Sequence, residues 1–431
     1  MKILVANAYA KGSGGDMAIL AVLISELRRV FDNPDITVAT IDTNANMEPL
    51  FPDVRFVPSL ITTIWDEQSN NRIGKLYSLL RNGLATTIWS LVYRYGKKRP
   101  DWILRESEKT AMNALADADL VVGVGGGYIR EIPGFLRIMD LVLTLRMLYL
   151  SHLMGKMTVL HSQSVGPFGN KFQEKFTGYV MRRMQFIITR ESISLKLLKK
   201  MGIKEELISG SVDAAFLVRG ESFVSKPLPE DFTSIKKDYS GPLVGVTARD
   251  WLGEKAQGRY EKEMALALDH IAEKYDARIV FIPQTTVERN TDDDRIVEKR
   301  IFENMRQKNR AVLLEDSYDY QTLLSIYGSL DFLIGTRFHS AIFALTAKVP
   351  TLVIAYEHKA EGIMKDLGLA QWVVKMEDVD SLSIGDTFIR LYEAKDIYLK
   401  HLEKALPDYI TQAESSVEKI KEIYLSQEGS R

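Results

Sequence analysis

The stretch densest in usable chemistry is Asp331-Phe-Leu-Ile-Gly-Thr-Arg337-Phe338-His339-Ser340-Ala341. Its apolar run ends at Gly335, so Arg337 and His339 fall where a strand turns into a helix. Backbone N–H groups, a guanidinium and an imidazole then converge on one point, which makes an anion site with a proton donor attached. Tyr356-Glu-His-Lys359 follows the next apolar run and adds a second cationic cluster. Thr247-Ala-Arg249-Asp250 closes an earlier strand. There Arg249 either forks onto a carboxylate or phosphate, or pairs with a local acid such as Asp250.

Two glycine clusters also end strands. Gly12-Ser-Gly14-Gly15-Asp16 opens a helix, where N–H groups favour an anion or an acceptor hydroxyl. It lacks GxGxxG spacing, and Asp16 puts negative charge where a pyrophosphate would sit, so a dinucleotide is disfavoured. Asp16 reads either as a helix cap or as a ligand contact. Gly125-Gly126-Gly127 invites close approach by a sugar or by another loop. Asp292-Asp-Asp294 has the charge for a divalent cation, yet acids in a first helical turn are also what the helix dipole favours. No metal is expected.

These residues need a scaffold that brings strand ends together. Short β-branched runs alternate with amphipathic stretches along the chain, which is βαβ order. Strands are expected at Lys2–Ala8, Ile36–Ile41, Leu120–Val124, Met157–Ser162, Phe186–Thr189 and around Leu207–Gly210, then at Leu243–Thr247, Arg278–Pro283, Ala311–Leu314, Phe332–Ile334 and Thr351–Ala355. Helices fill the gaps, among them Met17–Phe31, Leu136–Leu153, Asp292–Lys308 and His339–Ala347. Runs buried on both faces and joined by helical crossovers give parallel, doubly wound sheets, which bind ligands outside the carboxyl ends of their strands. Gly220–Pro242, with its prolines and broken periodicity, reads as a linker. The expected fold is α/β, with two Rossmann-like domains and a cleft between them, residues 1–225 and 240–394, followed by a helical segment at 395–431. Between 59 and 115 the strand rhythm lapses into a helical insertion, where Trp89, Tyr93 and Tyr95 stand beside Arg94, Lys97, Lys98 and Arg99. That segment reads either as a membrane-surface contact or as a core-packing helix whose cations complement its dipole.

The bulk properties narrow the function further. The 431 residues are 46% hydrophobic and 26% charged, with 56 Lys plus Arg against 57 Asp plus Glu. So even a balance argues against a general nucleic-acid binder. The chain has no cysteine, which excludes disulfides, thiolate metal sites and thiol nucleophiles. No apolar run is long enough to span a bilayer, and the amino-terminal run is too short for a secretory signal. The expected location is cytoplasmic, with peripheral contact at the inner face of the membrane as the insertion's added implication.

The chain resembles the polysaccharide pyruvyl transferase family, most closely members serving colanic-acid-type exopolysaccharide synthesis. The matching stretches are the glycine loop with Asp16, Val121–Gly127, His161-Ser-Gln-Ser164-Val-Gly-Pro-Phe168, Thr189-Arg-Glu191-Ser192, Val212-Asp213, Gly335–Ala341 and Ala355–Met364. Ser13 stands where the family usually has Asn. The resemblance implies a GT-B-type arrangement, with residues 1–225 on the acceptor side and 240–394 on the donor side, and transfer of pyruvate from phosphoenolpyruvate to a sugar as a ketal, with phosphate released and no cofactor beyond that co-substrate. Arg249, Arg337, Phe338 and Lys359 are then expected at the donor, and His339 as general acid. Asp16 or Glu191 is expected to deprotonate a sugar hydroxyl, while Gly14, Gly15, Gly125, Gly126, Gly127 and Ser164 lie against a glycan or lipid-linked oligosaccharide acceptor. Imidazole, with an ordinary pKa of about 6.5, both gives and takes a proton near neutrality. The competing expectations are a GT-B glycosyltransferase using a nucleotide sugar, and a non-catalytic member that binds a glycan or a partner.

Overall fold

The computed structural model describes the chain except residues 44, 48, 63–71, 132–137, 219–225, 238, 288–291 and 429–431. The contacts sort into two compact units. The first holds Met1–Lys11, Ile19–Ala214 and Gln412–Arg431, and the second holds Gly12–Ala18 and Ala215–Thr411.

The first unit is built on a parallel sheet of β1 (Lys2–Ala8), β2 (Asp35–Thr40), β3 (Arg55–Pro58), β4 (Leu120–Gly123), β5 (Gly126–Ile129), β6 (Met157–Val165), β7 (Phe186–Thr189) and β8 (Ile208–Gly210). Their order is β3-β2-β1-β4-β6-β7-β8, with β5 also on β6. The second unit has a parallel sheet of β9 (Leu243–Thr247), β10 (Arg278–Phe281), β13 (Ala311–Leu313), β14 (Phe332–Gly335), β15 (Thr351–Ala355) and β16 (Val373–Lys375), ordered β13-β10-β9-β14-β15-β16; β11 (Thr286–Val287) and β12 (Asp292–Asp293) form a separate antiparallel pair. Both orders reverse beside the unit's first strand, which is the Rossmann switch point. Strands such as LVGVT and TLVIA are buried along their full length, as strands covered on both faces must be.

The helices that matter below are α1 (Gly14–Val30), α2 (Arg72–Gly96), α3 (Glu106–Asp117), α4 (Ile138–Leu153), α5 (Lys171–Met181), α6 (Ser192–Lys200), α7 (Glu230–Lys237), α8 (Glu254–Lys274), α9 (Asp294–Asn304), α10 (Tyr320–Tyr327), α11 (Phe338–Thr346), α12 (His358–Asp366), α13 (Ser381–Glu393) and α14 (Lys395–Glu428). Two expectations are corrected. The segment read as a linker contains α7, because Phe232 and Ile235 are buried three residues apart on one helical face despite the flanking prolines. The helix expected from Asp292 begins at Asp294, since Asp292 and Asp293 pair with Val287 and Thr286 as β12. The segment expected as a helical insertion between 59 and 115 carries α2 and most of α3. The expected helix start at residue 136 and the linker's residues 220–225 lie outside the described residues.

Candidate active site

The site belongs to the second unit, at the carboxyl edge of its sheet. Thr247 of β9 is the register partner of Gly335 of β14, so Arg249 and Arg337 each follow that aligned pair by two residues. Thr247 then fixes the turn into α11. Its hydroxyl accepts from the backbone N–H of Thr336 at 3.0 Å and of Arg337 at 3.2 Å, and it meets Ser340 Oγ at 3.0 Å. Ser340 Oγ also donates to Arg337 O at 2.6 Å. His339 thereby sits in the first turn of a nine-residue helix, where the helix dipole favours an anion.

Arg337 is buried and held by Asp294, the first residue of α9. Its Nε donates to Oδ1 at 2.8 Å and to Oδ2 at 3.1 Å, and Nη2 donates to Oδ1 as well. The same Asp294 Oδ2 accepts from the backbone of Gln284 at 3.1 Å and Thr285 at 3.0 Å. The acid that the sequence offered as a weak metal candidate is thus the seat of the arginine, while its neighbour Asp293 caps α9 and pairs with Arg295. Glu298, one turn further along α9, is fully buried. Desolvation, and then the charge of Asp294, push its carboxyl well above the ordinary carboxylate range.

Arg249 lies over the rings of Trp251 and Tyr356, 4.7 and 4.8 Å from their centroids, and donates from Nη1 to the Tyr356 hydroxyl. Lys359 pairs with Glu357 at 2.6 Å and stands 5.7 Å over the Phe338 ring. Phe338 in turn meets the His339 ring edge-on at 5.2 Å. Phe338, His339 and Lys359 are therefore one cluster, with Arg337 entering it along the chain. Each cation has a defined partner: Asp294 balances Arg337, Glu357 balances Lys359, and aromatic faces hold Arg249.

The glycine loop joins this cluster. Thr286 N donates to Gly12 O at 2.8 Å, and Gly14 N donates to Gln284 O at 3.1 Å, which straps the loop to the segment after β10. A Cβ at Gly15 would overlap the His339 imidazole, and one at Gly14 would overlap Leu323, so backbone without side chain is required at both. Asp16 lies in the first turn of α1 and accepts from Ser13 Oγ at 2.5 Å. Sequence reasoning placed Gly14, Gly15 and Asp16 with the amino-terminal half. The contacts of Gly14 and Gly15 place the loop against Gln284, Leu323 and His339.

The other expected residues are in the first unit and have local partners. Glu191 caps α6, accepting from Ser194 N at 2.7 Å, and it is buried. Its carboxylate is occupied by the cap rather than presented to a substrate. Ser164 accepts from Arg190 Nε at 2.7 Å, and Arg190 pairs with Asp213 at 2.7 Å, all three buried. Gly125 runs against the backbone of β6, where a Cβ would stand 2.7 Å from Ser162 O, so the close approach is by another strand. Gly126 and Gly127 lie in β5, and Gly126 O accepts from Gln163. His161, fully buried on β6, meets Ser416 Oγ at 2.8 Å, and desolvation brings its pKa down to about 4.

Sequence reasoning missed Asp294 as a partner of Arg337, and also Gln284, Tyr327 and Glu298. Tyr327 donates to Gln284 Oε1 at 2.7 Å beneath the glycine loop. One available signal was the strand-end rule, since Gln284 follows the expected β10 run directly.

The fold, two parallel sheets of Rossmann order, is shared with a solved UDP-sugar epimerase and with two proteins solved with UDP. UDP-GlcNAc 2-epimerase from Neisseria meningitidis bound to UDP-GlcNAc superposes with a TM-score of 0.61 at 14% identity, covering 99% of this chain and 100% of that one. The S. aureus MnaA structure with UDP gives 0.62 at 11% identity, covering 99% and 97%. Anabaena Alr3699/HepE with UDP and glucose gives 0.57 at 15%, covering 98% of each. Within that fold, residues 14–358 match the polysaccharide pyruvyl transferase family, and the chain belongs to it. It is 25% identical over 409 residues to the amylovoran biosynthesis protein AmsJ of Erwinia amylovora, spanning 92% of this chain and 93% of that protein.

Proposed function

We propose that this protein transfers pyruvate from phosphoenolpyruvate to two hydroxyls of one sugar in a bacterial exopolysaccharide repeat unit, forming a ketal. The observation that carries this reading is the placement of His339 in the first turn of α11, between the glycine loop and Phe338, with Arg249 and Arg337 just past neighbouring strands and Lys359 in the first turn of α12. Phosphoenolpyruvate carries a carboxylate and a phosphate, which suits several cations and helix N–H donors.

In this reading Arg249 and Lys359 take the donor's anionic groups, and Arg337, seated on Asp294, orients the turn. His339 protonates the enol methylene to a methyl group, and positive charge develops at the central carbon. One sugar hydroxyl adds there, phosphate leaves, and the second hydroxyl closes the ketal. Of the two hydroxyl protons, one restores the acid and one leaves on phosphate. Asp16, one residue beyond Gly15, is the assigned base for a hydroxyl; Glu191 is not. No metal or other cofactor is assigned, and a lipid-linked acceptor handled at the cytoplasmic face is part of the proposal.

A nucleotide-sugar transferase is the second reading, favoured by the likeness to solved structures holding UDP or UDP-sugars. The test is product analysis with a panel of bacterial repeat-unit glycans. Inorganic phosphate and a pyruvylated glycan from phosphoenolpyruvate support the first reading. Release of a nucleoside diphosphate from a nucleotide sugar, with phosphoenolpyruvate untouched, overturns it.

A further inference from the structure

Helix α2 leaves an apolar strip outside. The face packed into the first unit carries the core residue Trp89 together with Ser78, Asn82, Thr86 and Ser90, all buried, and Arg146 reaches in to donate to Asn82 O at 2.7 Å and Thr86 Oγ1 at 2.8 Å. The opposite face carries Tyr77, Leu80, Leu84, Ile88, Leu91 and Tyr95, spaced by three or four residues and so aligned on one side of the helix. These are exposed: 67% at Tyr77, 65% at Leu80, 64% at Leu84 and 81% at Tyr95. A surface helix ordinarily turns its apolar stripe inward and its polar face to water. A continuous apolar strip left outside marks a binding surface.

The charge around the strip identifies its partner. Residues Arg72–Gly96 contain no Asp or Glu, and Lys97, Lys98 and Arg99 follow directly. Trp102, just past these cations, is 86% exposed. An apolar face free of acids, ending in cations and flanked by exposed aromatic rings, is what an anionic bilayer surface selects: aliphatic side chains enter the acyl boundary, rings sit at headgroup level and ammonium groups meet phosphates. We propose that the outer face of α2 docks this protein on an anionic lipid surface, with α2 lying in the membrane plane. No helix among the described residues is long and apolar enough to cross a bilayer, so the contact is peripheral.

The test is flotation of the full chain with vesicles of phosphatidylglycerol and phosphatidylcholine, and with phosphatidylcholine alone. The expected result is binding to the anionic vesicles, weakened by salt. Leu84→Glu with Ile88→Glu should reduce it at least tenfold, and Lys97→Ser with Lys98→Ser several-fold. Leu382→Glu, at a 75% exposed leucine of the second unit, should float like wild type. Unchanged melting temperatures show that the variants fold. Failure of wild type to float, or wild-type flotation by the Leu84/Ile88 variant, overturns the proposal. So does a vesicle-free dimer that the Leu84/Ile88 change dissociates while flotation persists.

Discussion

Asp294 and Arg337, 43 residues apart in the chain, form a buried ion pair in which guanidinium Nε lies 2.8 Å from the carboxylate and Nη2 contacts it too. The pair connects the start of α9 to the turn that carries His339. Breaking a buried pair by removing one partner leaves an uncompensated charge and costs about 3–5 kcal/mol. Asp294→Asn and Arg337→Gln are each expected to lower stability by that order, and the double variant by less than the sum. Denaturant melts of the four proteins check this; additive losses would mean the two residues act separately.

Gly15→Ala puts a methyl group into the His339 imidazole. The ring must move, and displacements of about 1 Å at a reacting group lower rates by roughly 100-fold. Turnover should fall by that order while the melting temperature changes by only a few degrees. Phosphate-release rates and a thermal melt on the same preparation decide it.

His339→Gln and Arg249→Ala should separate in kinetics. Loss of a general acid is expected to lower kcat by roughly 100- to 10,000-fold. Loss of Arg249 should chiefly raise KM for phosphoenolpyruvate. A His339→Gln enzyme with near-normal kcat would remove the imidazole from the proton-transfer step.

His161 sets one limit on acid stability. Its folded pKa of about 4 lies below the ordinary value of 6.5, so the fold holds it neutral. That contribution is fully present above pH 6.5 and is lost as pH falls towards 4, to the extent of about 3 kcal/mol. His161→Gln should flatten stability across this window, read as melting temperature against pH.

Glu298 acts in the opposite direction. Its folded pKa is raised by desolvation, so the folded state keeps a proton that the unfolded chain releases near 4.5. The stabilisation is present below that value and declines as pH rises through the folded pKa. Glu298→Gln should therefore gain on wild type as pH increases from 4.5, and parallel curves for the two proteins would contradict the assignment.

The strand cores were readable from the chain because parallel strands buried on both faces are continuous apolar runs. Lys2–Ala8, Phe186–Thr189, Leu243–Thr247 and Thr351–Ala355 were read with the boundaries they have. Strands β3, β11 and β12 were not, since Arg55–Pro58, Thr286–Val287 and Asp292–Asp293 hold no continuous β-branched apolar run like that of Phe186–Thr189. Arg337 and His339 were legible because their strand-to-helix switch is local. The seat of Arg337 on Asp294 was not, because the pair closes through tertiary structure, and charges at the start of a helix already had a sufficient local explanation. The glycine loop was found by composition, but its sequence adjacency to β1 said nothing of the straps to Gln284 and Thr286.

Because the polypeptide enters each unit more than once, no single scission separates them. Severing the chain between Ala214 and Ala215 would strip the carboxyl-terminal fragment of Gly12–Ala18, and so of the turn that lies on His339. The amino-terminal fragment would forfeit Gln412–Arg431, and with it the hydroxyl that meets His161. Each half is therefore expected to regain activity only when the other is present while it folds.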